Sequence, residues 1–168
     1  MVNTIKYFAY IICCAVVVLL LSNVIYKGQN EQPKPANVFE WDKPVSVYFW
    51  NDASGSKDDC DVVFATTHRV LNAETLAPGA LEQLLKGPTE AEKEAGYSTA
   101  IPQGVLLQRF EIKNGVAYAD FSSELGKASG SCRVRGVKAQ IEKTLIDLPD
   151  IDSVVITVDG KSQGVLEP

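Results

Sequence analysis

The chain has 168 residues, 16 Lys and Arg against 21 Asp and Glu, one His and four Cys. That length holds one compact domain and an appendage. Lys6 and Lys27 aside, residues 28–168 carry all 21 acids against the 14 remaining bases, a net charge of −7. Such a domain repels phosphate backbones, which excludes nucleic acid as a partner.

Residues 7–26 form a run of twenty without a charge, between Lys6 and Lys27. At about 1.5 Å per helical residue they span roughly 30 Å, the hydrocarbon thickness of a bilayer. Tyr7, Tyr10 and Tyr26 lie near its ends, where amphipathic rings prefer the interface. The polar end reads Leu21-Ser22-Asn23-Val24 with no A-x-A cleavage pattern, and Cys13 and Cys14 sit inside the run, unlike a lipobox cysteine. Residues 1–27 are therefore expected to be a short cytoplasmic tail and an uncleaved, single-pass signal anchor. Lys6 faces Lys27, Lys34 and Lys43 across the span, so charge does not set its direction. Residues 28–43, with Pro33 and Pro35, read as a polar tether. Residues 44–168 are the domain.

Within the domain, Val45, Val47 and Phe49 alternate with Ser46, Tyr48 and Trp50 as a strand. Residues 51–61 are a small, acidic loop, and residues 62–70 a second strand. Pro78 suits a helix's first turn, and Leu81, Leu84 and Leu85 share one face. Gly87 and Pro88 end that helix near residue 86. Thr89 and Glu92 have capping-box spacing, which predicts a short helix to Ala95 before Gly96.

Strands follow over 105–113 and 116–121, joined by Asn114-Gly115, a type I′ hairpin signal. Val134, Val137, Ile141, Leu145 and Leu148 recur at three and four residues, predicting a helix over 131–147 that Pro149 ends. Residues 152–158 read as a strand, with a return strand after Asp159-Gly160 to Leu166. The order ββα-ββ-αβ defines an α+β two-layer sandwich: a mixed sheet of four to five strands with two main helices on one face.

Three blocks in this order resemble the GerMN domain family, named for sporulation and spore-germination proteins. The first holds Leu81, Leu84, Leu85, Gly87, Pro88, Thr89, Gly96, Pro102 and Gly104; the second Gly115, Asp120, Phe121 and Ser122; the third Gln140, Ile141, Thr144 and Leu145, then Asp159 and Gly160. The resemblance implies an α/β fold, an extracytoplasmic location and a non-catalytic role, with those motif residues structural. It also implies tethering to the outer face of a membrane, and for some members a place in envelope-spanning assemblies whose fold is similar to ring-building motifs. This chain is expected to carry one copy of the domain and an anchor in place of a lipobox.

Cys60 and Cys132 have polar flanks, and outside the cytoplasm two such cysteines are expected to pair. Closing that loop stabilises a fold by about 3–4.7 kcal/mol in the chain-entropy model. The alternative is a reactive thiol at the start of the 131–147 helix, although no C-x-x-C motif is present. Two cysteines and one histidine do not make a zinc site.

His68 has no G-x-S-x-G elbow to serve and reads as a strand residue. The acids Asp52, Asp58, Asp59 and Asp61 invite a calcium reading, but aligning Gly55 with the EF-hand glycine puts Trp50 at the first ligand position. Residues 126–131 lack the Walker glycine, since Phe121 stands there. An anion remains possible at the amides that open the long helix. Neither a catalytic residue nor a metal or cofactor is expected.

The leading expectation is a non-enzymatic binding and assembly module of the bacterial cell envelope. It would be anchored in the cytoplasmic membrane by residues 7–26, with its domain outside. Its partners would be envelope proteins, further copies of itself among them. The alternative is an extracytoplasmic enzyme or ligand-binding domain acting on cell-wall material, for which His68, Asp59 and Ser131 would have to share a cleft.

Overall fold

The computed structural model describes residues 43–56, 59–70, 76–162 and 166. The expected anchor and its cysteines, and the tether up to residue 42, lie outside the described residues. Among the described residues no helix is long and apolar enough to cross a membrane.

Strand β1 (Lys43–Asn51) buries Val45, Val47 and Phe49, as its two-residue alternation requires. It pairs antiparallel with β2 (Phe64–Val70), Val47 opposite Thr66. Helix α1 (Leu76–Lys86) holds Pro78 in its first turn and buries Ala77, Ala80, Leu81 and Leu84. After Gly87-Pro88 comes α2 (Glu90–Glu94), then the two-residue β3 (Tyr97–Ser98) on the far side of β1. The hairpin of β4 (Leu107–Lys113) and β5 (Val116–Phe121) turns at Asn114 and Gly115, both with positive φ. Helix α3 (Ser131–Ile146) crosses back to β6 (Ser153–Val158), which runs parallel to β5.

The architecture is α+β with two main helices, and the strands form two three-stranded sheets, β2-β1-β3 and β4-β5-β6. This corrects the expected single mixed sheet of four to five strands. The reason lies at the second edge of β1. Thr144 Oγ1 of α3 accepts the Tyr48 N–H at 3.1 Å, and β3 pairs with Trp50 and Asn51, so no strand of the second sheet joins there. Two smaller differences accompany it. β2 begins at Phe64 rather than Val62, whose carbonyl accepts from Ser56 Oγ at 2.6 Å. The return after β6 is a single bridge between Val158 and Lys161, and residues 163–165 lie outside the described residues.

Helices α1 and α3 pack on β1 and on each other, α1 also meeting β4 and α3 meeting β6. One apolar core results, from Val47 and Phe49 through Leu81 and Leu84 to Phe121, Leu125, Val137, Ile141 and Leu145.

Candidate functional site

Hydrogen bonds order the loop after β1, and a disulfide and ion pairs join that loop to the start of α3. Asn51 caps a short 3₁₀ turn (Asp52–Ser54) by accepting the Ala53 N–H, while its Nδ2 donates to Ala95 O at 3.2 Å. Its own N–H donates to Ser56 Oγ at 2.9 Å. Trp50 Nε1 donates to Cys60 O at 2.9 Å.

Cys60 is joined to Cys132 in the first turn of α3 by a disulfide, with the Cα atoms 5.3 Å apart. One turn on, the Arg135 guanidinium reaches Asp61 at 3.3 Å and Asp59 at 3.9 Å. The loop acids thus hold a guanidinium. Among the described residues no cluster of His, Cys, Asp and Glu could hold a metal ion.

Trp50 lies over Gly136, where a Cβ would collide with the six-membered ring of the indole. Beside it opens a shallow groove of about 480 Å³ lined by Trp50, Ser98, Thr99, Ser129, Ser131 and Arg133. Arg133 Nε donates to Ala100 O at 2.8 Å, and no side chain caps the helix at Gly130. The groove joins an aromatic ring, hydroxyls and a guanidinium, but no nucleophile–base pair.

Other polar groups join elements in the same way. Gln140, fully buried, accepts from Thr99 Oγ1 and from Ala100 N, both at 3.1 Å, and donates to Ser98 O at 3.4 Å. Asp120 Oδ1 accepts from Thr157 Oγ1 at 2.6 Å and from Gly160 N at 2.8 Å. The Thr157 hydroxyl is the main reason that the Asp120 carboxyl is held below the usual range; the Gly160 amide and Arg109 add to it against burial.

Thr89 and Glu92 form the expected capping box of α2. The other Glu92 oxygen accepts from His68 Nε2 at 3.0 Å. Burial pushes the Glu92 carboxyl up, and the Thr89 amide, the Thr66 and Thr89 hydroxyls and His68 outweigh it, leaving the group below the usual range.

The family-motif residues fall on turns and on the core. Leu81 and Leu84 are fully buried, and Leu85 packs against the core. Gly87, Gly96 and Gly104 lie at positive φ in the connections around α2 and beyond β3, with Pro102 two residues before Gly104. Asp159 and Gly160 form the turn after β6, where Asp159 Oδ1 accepts from Gln108 Nε2 at 3.1 Å.

His68, Asp59 and Ser131 are not brought together. His68, its side chain 8% exposed, sits on β2 against Glu92 and the Phe49 ring; Asp59 faces Arg135, and Ser131 lines the groove. Sequence reasoning missed Trp50, Gly136 and Arg133. A solitary Trp, Gly or Arg has no pattern, and only the three-dimensional contact gives each its meaning.

The fold is a small α+β domain in which buried polar side chains join neighbouring elements. The chain belongs to the Germane family, described as sporulation and spore germination, whose model matches residues 46–164. Among its relatives is the spore germination protein GerM of Bacillus subtilis (strain 168), 29% identical over 145 residues, which are 83% of this chain and 38% of that protein. The chain thus spans well under half of that relative's length.

The structure of the tandem GerMN domains of the sporulation protein GerM from Bacillus subtilis is similar with a TM-score of 0.54 and 25% identity, over 78% of this chain and 44% of that one. The first GerMN domain of the same protein gives 0.57 at 24% identity, over 71% of this chain and 85% of that one, a likeness of fold.

Proposed function

We propose that this chain is a membrane-anchored, extracytoplasmic assembly module of the bacterial cell envelope, non-enzymatic and serving a sporulation-linked process. The observation that carries it is the Cys60–Cys132 disulfide, because such bonds persist in oxidising compartments outside the cytoplasm. The uncharged run of residues 7–26 supplies the anchor, and residues 28–42 the tether. Membership of a family described by sporulation and spore germination supports the process. The non-catalytic part of the reading is supported by where the polar side chains go: His68, Glu92, Asp120, Gln140 and Arg135 each join two elements of the fold.

The test is to cross-link the full-length protein in its native membrane and identify what it captures by mass spectrometry. Capture of itself or of one envelope complex at defined lysines is the expected result. Recovery of the monomer alone, where a known envelope complex is captured in parallel, would overturn it.

A further inference from the structure

We infer that the outer edge of β2 is a seam for a second copy of this chain, pairing antiparallel about a two-fold axis at Thr66. This deepens the assembly reading above and rests on it, because shared anchoring raises the effective concentration of a seam too narrow to form a standard interface alone.

The direction of the backbone groups follows from one bond. Tyr48 N donates to Thr144 Oγ1 on α3, so Tyr48 turns its backbone away from β2. Its register partner is Ala65. In an antiparallel ladder, residues facing each other in such a pair both point their N–H and C=O outward. Ala65 and, two residues on, Thr67 therefore present four backbone groups to the outer edge. Both are exposed, and among the described residues β2 pairs with β1 alone.

The other long edges carry the devices that keep strands apart. β4 has an irregular register at Leu107/Arg109 and alternating charges at Arg109, Glu111 and Lys113. β6 borders a groove lined by Lys138, Glu142, Ser162 and Leu166. β2, reading FATTHRV, has no proline, lysine or bulge in its pairing with β1.

The occupant follows from charge and from self-complementarity. Two copies whose residues 28–168 carry a net charge of −7 approach best where acids are absent or paired: none lies between Phe64 and Val70, and Glu92, the acid packed beside that strand, is held by His68. With Thr66 opposite its own mate, Ala65 faces Thr67 of the second copy and the reverse. That register closes four N–H···O=C bonds and puts no like charges opposite each other among residues 64–68.

The test uses the full-length chain in its membrane with Cys13→Ser and Cys14→Ser. A Thr66→Cys substitution places the two new sulfurs across the two-fold axis, in the closer type of antiparallel pair. Mild oxidation is expected to give a disulfide-linked dimer. Adding Thr67→Pro removes an outward N–H, spares the β1 ladder and is expected to reduce the dimer at least tenfold. Ala65→Pro gives the same readout if that variant misfolds, with the Cys60–Cys132 bond and the thermal midpoint reporting folding.

A folded chain carrying both Thr66→Cys and Thr67→Pro that still cross-links through the introduced sulfur overturns the seam. A Thr66→Cys chain that stays monomeric but captures another envelope protein overturns the seam and leaves the assembly reading standing. A chain that stays monomeric and captures nothing overturns both.

Discussion

The indole of Trp50 occupies the space that a side chain at position 136 would need, so β1 and α3 touch there through one ring and one bare backbone. Gly136→Ala is expected to destabilise the domain by about 1–3 kcal/mol, the usual cost of overpacking. Urea denaturation of the variant checks this. Trp50→Ala should lessen the effect of Gly136→Ala in a double-mutant cycle, and additive losses would refute the contact as its cause.

Breaking the Cys60–Cys132 bridge is expected to cost about 3–4.7 kcal/mol in the chain-entropy model for a loop of this length. The Cys60→Ser/Cys132→Ser double variant, compared with the oxidised wild type, measures it. Equal stability of oxidised and reduced protein would contradict the expectation.

Gln140→Leu keeps most of the volume but strips Ala100 N–H and Ser98 O of a buried partner. A loss of about 1–3 kcal/mol per unsatisfied group is the expected scale. Hydrogen exchange at the Ala100 amide should accelerate by more than the global loss of stability explains; unchanged protection would argue against the network.

Acid is expected to weaken the fold through Asp120 and Glu92. Both carboxyls lie below their ordinary values in the folded state. The unfolded chain then binds protons more readily, so the stabilisation is complete above the unfolded-state pKa and is lost as pH falls through the folded one. Stability measured from neutral pH to strong acid should decline across that window, and Asp120→Asn and Glu92→Gln should each flatten the decline. A variant with the wild-type slope would remove that residue from the account.

Much of the fold was legible because its signals are local. The 78–86 helix with its Gly87-Pro88 stop, the Thr89–Glu92 box, the Asn114-Gly115 hairpin and the 131–147 helix each lie within a few turns of chain. The division into two sheets was not. It depends on the Thr144 hydroxyl meeting the Tyr48 N–H across 96 positions, and on a two-residue strand too short to show a period. Of the groove, Ser131 and Cys132 were noticed for other reasons. Trp50 and Arg133 acquire a role only once β1 and α3 are side by side.

The disulfide also decides how the domain carries mechanical load. A pull between Lys43 and the end of β6 passes from Cys60 directly to Cys132, across a sequence separation of 72. The bypassed chain, at about 3.4 Å per extended residue, would otherwise release roughly 240 Å of length. With the bridge closed, β2, α1, α2, β3 and both hairpin strands lie off the force path. Under tension, only β1 with its following turn, α3 and β6 can be drawn out.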